Sequence, residues 1–166
     1  MRKRYAATLI FCILFSMVGC NHIRKTKISV EAKVLKLSNK QFDEVGTEGL
    51  KDPTMNDFRK LTFNFKMDNP PDTSRKIVFP KTISWKKSIN SVDGKVRYWG
   101  GEEYQQDNEG ENFALYHRDF LFYSKGLSED EIKEAFDSIV LKVAWKTKDE
   151  TQEEKEYKVS KLIKFK

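Results

Sequence analysis

His22 and His117 are the two imidazoles this 166-residue chain offers for proton transfer or metal binding. His117 stands in Tyr116-His117-Arg118-Asp119, inside a run whose alternation predicts a strand. Residues two apart on a strand share a face, so His117 and Asp119 could meet as a base and its orienting acid. That pair still needs a nucleophile. No serine stands in a Gly-x-Ser-x-Gly elbow, so the competing reading is the solvated face of a strand. Glu102, Glu103, Asp107, Glu109 and Glu111 could offer oxygen ligands to calcium, but at a spacing that matches no calcium loop. One histidine and no thiolate in the predicted domain exclude the usual zinc sets. No metal and no cofactor are expected. The remaining cluster is Tyr98-Trp99-Gly100-Gly101, with Tyr104 close behind. Adjacent strand residues face opposite sides, so either Tyr98 or Trp99 turns away from the core. An aromatic there could stack on a sugar or grip a protein, or it could lie under the long segment 38–60. Tyr98, Trp99 and Tyr104 are therefore the candidate binding surface.

The two cysteines, Cys12 and Cys20, both fall near the start of the chain. Arg2, Lys3 and Arg4 form a cationic head, which stays on the cytoplasmic side because its charges are costly to translocate. Tyr5 to Val18 follows without a charge. It is too short for a spanning helix, which needs about 20 apolar residues, but it fits the apolar core of an export signal. The run ends Met17-Val18-Gly19-Cys20. This segment resembles the signal peptide and lipobox of bacterial lipoproteins, with Gly19 and Cys20 matching and Met17 where leucine is usual. The resemblance covers the first twenty residues. It implies that the Cys20 thiol receives diacylglycerol and that cleavage makes Cys20 the first residue. Two acyl chains hold a protein stably where one holds it marginally, at about 0.8 kcal/mol per buried methylene. Asn21 stands where an aspartate would resemble an inner-membrane retention signal, so in a two-membrane host the outer membrane is open to it.

Cleavage would remove three basic residues, leaving 28 basic against 25 acidic residues and a formal balance of +3 in place of +6. That small excess argues against a nucleic-acid partner. The expected mature domain has no thiol left for a disulfide, so its core alone must hold it. Asn21 to Lys27 is a polar tether carrying Arg24, Lys25 and Lys27. It spans at most about 25 Å, and its charges suit either solubility or anionic headgroups.

The elements that must position these residues are mostly strands. Ile28, Val30, Ala32 and Val34 alternate with polar residues, as do Leu61, Phe63, Phe65 and Met67. Segment 38–60 reads as a loop. Asp68 to Asp72 carries strong turn chemistry. Ile77 to Phe79 and Ile83 to Trp85 read as strand, with Pro80 as a bulge or edge. Asp93-Gly94 signals a hairpin into Val96 to Trp99. Gly100-Gly101 is expected to break that strand, and 102–112 to be an acidic loop. Phe113 to Tyr123 is another strand. Ser128-Glu129-Asp130-Glu131 is a capping box that opens the one expected helix. Ile139 to Trp145 returns to period two. A charged hairpin, Lys146 to Glu156, leads to a last strand, Tyr157 to Phe165, with a bulge near Ser160.

With six to eight strands and no βαβ rhythm, the expected fold is mostly β: an antiparallel immunoglobulin-like sandwich with one short helix. The alternative is a small antiparallel barrel. The expected organisation is a signal peptide at 1–19, a tether at 20–27 and a single β-domain at 28–166. The expected function is that of a non-enzymatic binding or accessory module, held by its lipid on the extracytoplasmic face of a bacterial membrane. Its partner would be a protein, a peptide or a cell-wall glycan. An envelope hydrolase using acidic residues and a structural subunit of a membrane complex are the competing readings.

Overall fold

A computed structural model describes residues 25–166. The export segment, Cys20 and His22 lie outside the described residues. The strands are β1 (Lys27–Lys36), β2 (Phe58–Asp68), β3 (Ser74–Val78), β4 (Tyr98–Gln106), β5 (Phe113–Tyr123), β6 (Val140–Lys146), β7 (Gln152–Lys158) and β8 (Ile163–Phe165). Four short helices lie between them: α1 (Asn39–Asp43), α2 (Thr82–Asn90), α3 (Glu129–Ala135) and α4 (Val159–Leu162), with a 3-10 turn at Met55–Asp57. A five-stranded sheet runs β4-β5-β2-β1-β8 and a three-stranded sheet runs β3-β6-β7. All pairings are antiparallel except β1 with β8.

The two-layer antiparallel arrangement expected from the alternation is the one that forms. It is an open sandwich rather than a closed barrel. Ala32 pairs with Phe63 and Val34 with Leu61 across β1 and β2, and Phe65 pairs with Tyr116 across β2 and β5. All six point into the core. Trp85 fills its centre, with ring centroids 5.6 Å from Phe63 and 6.1 Å from both Phe120 and Phe136. Its indole N–H donates to the Pro80 carbonyl at 3.0 Å, which satisfies the one polar atom of a fully buried side chain.

Several expectations need correction. Among the described residues the helix count is four rather than one. Ile83 to Trp85 belongs to α2, because Trp85, Ser88 and Ile89 are buried at helical spacing while Ile83 is left exposed. Segment 38–60 is not loop throughout. Ser38 caps α1 by accepting from the Gln41 N–H at 3.3 Å, while the Ser38 N–H donates to Gln41 Oε1 at 2.9 Å. Asp93-Gly94 makes no hairpin. It turns the chain after α2, with Gly94 at φ +73°. Gly100-Gly101 does not end β4: a bulge falls just before it, between Tyr98 and Gly100, and the strand continues to Gln106.

The last strand is in fact two. β7 lies in the small sheet, β8 in the large one, and α4 carries the chain between them. The break in alternation near Ser160 marks that crossing and not a bulge. Ser160 Oγ donates to Asp137 Oδ1 at 2.9 Å and the Val159 N–H to the Ile139 carbonyl at 2.9 Å. Among the described residues no helix is long and apolar enough to cross a membrane.

Candidate functional site

The outward face of the large sheet collects the polar residues of its strands. Inward positions of β2 and β5 are taken mostly by apolar side chains, with Arg118 the charged exception, so period two sends Lys60, Thr62, Asn64, His117 and Asp119 outward. Register then sets the neighbours. Asp119 lies between Thr62 of β2 and Glu102 of β4, and His117 between Asn64 and Tyr104.

His117 and Asp119 are brought together, as their spacing suggests. The His117 Nε2–Asp119 Oδ2 distance is 3.7 Å, too long for a hydrogen bond. The other ring nitrogen, Nδ1, is 2.7 Å from Asn64 Oδ1; with that oxygen as acceptor, Nδ1 carries the proton. Asp119 is ion-paired with Lys60. No hydroxyl donates to His117 among the described residues, and Asp119 stands beyond hydrogen-bond reach, so the pair assembles neither the orienting nor the nucleophilic half of a catalytic triad.

The three candidate aromatics are separated. Tyr98 points inward and packs on Phe120 at 5.1 Å between centroids. Trp99 points the other way, as the strand period requires, but lies under segment 38–60. Its ring meets Phe58 edge-on at 5.6 Å. Its Nε1–H donates to the Gly46 carbonyl. It joins a second small core of Leu37, Val45 and Phe58. Tyr104 alone is well exposed, at 55%, and its hydroxyl donates to Gln106 Oε1 at 2.9 Å.

The acidic stretch divides in the same way. Glu102 and Glu103 are strand residues. Asp107 accepts from Arg75 Nε at 2.7 Å and from the Tyr116 hydroxyl at 2.6 Å. Burial first, and then Asp107, pushes the Tyr116 phenol well above its ordinary value. Among the described residues no group of three or more His, Cys, Asp or Glu is placed to hold a metal ion.

Two open grooves flank this arrangement. One, of about 410 Å³, runs between α1 and β4 and is lined by Gln41, Glu44, Lys60, Glu102 and Asp119, with Gly100 and Gly101 beside it. It sets three carboxylates against one ammonium. The other, of about 290 Å³, lies between Tyr104, His117, Asn64 and Glu31. Lys60, Asn64, Gln41 and Glu44 are site residues that the sequence reading did not single out. The signal for Asn64 was its outward position on the strand from Leu61 to Met67, whereas Lys60 fell in segment 38–60, expected to be loop, and carried none. Glu44 carried none, because α1 was not expected. A larger cleft of about 730 Å³ lies elsewhere, between segments 71–75 and 107–112.

No family model and no curated protein matches the chain.

Proposed function

We propose that this chain is a lipid-anchored bacterial lipoprotein whose β-sandwich is a non-enzymatic binding or accessory module on the extracytoplasmic face of a membrane. The observation that carries the binding half is the large sheet's outward face. It presents exposed Tyr104, Asn64 and Glu102 and half-buried His117 on a rigid framework that ends in an open edge. The lipobox-like Met17-Val18-Gly19-Cys20 supports the anchor. The start of β1 at Lys27 supports a domain that rides close to the bilayer, because the tether from Cys20 spans at most about 25 Å. A protein, a peptide or a cell-wall glycan fits such a surface.

The envelope-hydrolase reading would draw on Glu102 and Asp119, which stand opposite each other across β4 and β5. Asp119 is ion-paired and Glu102 exposed on an open groove, which is not the water-excluding cleft such chemistry uses. The binding reading is preferred on that ground.

Fractionation tests the anchor. Cys20→Ala should move the protein from the membrane to the soluble extracytoplasmic fraction and abolish fatty-acid labelling. A variant that stays on the membrane without lipid would end the anchor reading. Photo-crosslinking from position 104 in intact cells tests the binding module, and a discrete adduct is expected. No adduct from any outward position of β2, β4 or β5 would end that reading.

A further inference from the structure

We infer that the free edge of β4 takes up an extended, lysine- or arginine-bearing segment of another protein as an added strand. This rests on the binding-module reading and names its partner class. Gly101 to Gln105 are five consecutive exposed residues in regular strand. β4 is the end strand of its sheet, and no backbone hydrogen bond from Gly101–Gln106 leads anywhere but to β5 among the described residues. An unpaired row of N–H and C=O groups is a template for another strand.

The other three edges are short or carry lysine, whereas the β4 bulge lies before Gly100 and the charges beyond it are acidic only. β8 is three residues long and β3 five. β7, Gln152-Glu153-Glu154-Lys155-Glu156-Tyr157-Lys158, carries mixed charge through its length. Short edges and charged edges with lysine are the usual means of preventing pairing. β4 is nine residues long and has no lysine.

Charge selects the occupant. Glu103 is engaged by Arg118 and by the Thr82 hydroxyl, which donates to it at 3.2 Å. The Glu102 carboxylate has no ion pair or hydrogen bond among the described residues. It faces outward opposite Asp119 and lines the groove that also holds Glu44. An added strand with a cationic side chain beside Glu102 would relieve this excess of carboxylate, as cross-strand opposite charges do. A second copy of this chain would instead bring another Glu102 and Glu103 to the same seam.

The test uses the full-length protein purified in detergent and two probes: a hexapeptide alternating valine and lysine, and its counterpart alternating valine and glutamate. Amide exchange is read residue by residue. The lysine peptide should slow exchange at the amides of Gly101–Gln106 that point away from β5 and leave β7 unchanged. Glu102→Lys should weaken its binding by about tenfold or more, with β2 and β5 still protected. Glu154→Lys on β7 should leave binding unaltered. Unchanged β4 exchange at millimolar lysine peptide, or equal effect from the glutamate peptide, overturns the proposal. So does β4 protection that rises with protein concentration alone, since a second copy would then fill the edge. Crosslinks confined to outward residues of β2 and β5, with no effect at β4, would leave the binding module standing while this assignment falls.

Discussion

Two arginines of this domain, Arg97 and Arg118, are buried and a third, Arg75, is half-buried, and their surroundings differ. Arg75 on β3 uses its whole guanidinium. Nε donates to Asp107, Nη1 to Asn69 Oδ1 and the Glu111 carbonyl, and Nη2 to the carbonyls of Asn108 and Phe113, at 2.6 to 3.1 Å. It thereby ties the small sheet to the β4–β5 loop of the large one. Arg97 grips Asp93 with two bonds of 2.9 and 2.8 Å and donates to the carbonyls of Tyr123 and Lys125. Arg118 lies between Phe79 and Trp85, 5.9 and 6.0 Å from their centroids. Glu103 abuts it, yet its Nε and Nη2 make no well-directed hydrogen bond among the described residues. Burial lowers its affinity for a proton. Methionine should therefore act in opposite ways at two of these positions. Arg75→Met strands half-buried acceptors, Asp107 among them, and should cost about 2 kcal/mol. Arg118→Met removes a desolvated, poorly bonded cation, and Glu103, which is largely exposed, can turn to water. That variant should fall within about 1 kcal/mol of the parent, or be more stable. Urea midpoints decide, and an Arg118→Met loss as large as that of Arg75→Met would mean the Glu103 pair is a strong one. Nothing in Ser74-Arg75-Lys76 distinguishes the clamp from a surface charge. Its acceptors are 32 to 38 residues away in sequence, apart from Asn69.

At the scale of elements, legibility followed packing. β2, β5 and β6 could be read because each sets one apolar face against the core. α3 could be read because Ser128 and Glu131 close a reciprocal cap. The same cap opens α1 at Ser38 and Gln41, but no residue of that helix is buried, so no apolar period marked it. α2 was hidden because Ile83 and Trp85, two apart, imitate strand alternation. β4 was hidden because two glycines in a row look like a break. Each of them answers a different requirement. Gly100 adopts φ +152°, a region that favours glycine. At Gly101 a Cβ would stand 2.2 Å from the Asp119 carbonyl oxygen and 2.4 Å from Phe120 Cβ. Neither atom can swing aside without moving β5. Gly101→Ala should thus cost about 1–3 kcal/mol and perturb amide shifts along the β4–β5 ladder. Gly46→Ala, where a Cβ meets nothing within 4 Å, is the control and should leave both unchanged. An equal response at the two positions would mean that β4 does not approach β5 as closely as described.

Over the whole molecule, carboxylates fasten the exits and entries of elements, and this sets its response to pH. The Thr54 N–H and Lys125 hold Asp57 below its ordinary value of 3.8, and Arg97, followed by Lys95, does the same for Asp93. Ser128 lowers Glu131 from 4.5, and Lys158 with Ser160 lowers Asp137 from 3.8. A folded-state value below the unfolded one gives stability that is complete above the unfolded value and lost as pH falls through the folded one. Tyr116 runs the other way. Its phenol is raised, so its contribution is complete below the ordinary 10.0 and is lost as pH rises beyond it. The urea midpoint should therefore be level between the two limits and decline below 4.5 and above 10.0. Because these carboxylates sit at separate junctions, the 3-10 turn, the α2 exit, the α3 start and the α3 exit, the acid decline should be graded rather than sharp. Asp93→Asn should lower the plateau and make the decline shallower, since one of the fastened groups no longer titrates. A midpoint that holds level to about pH 3 in the parent protein would show that these junctions do not govern its stability.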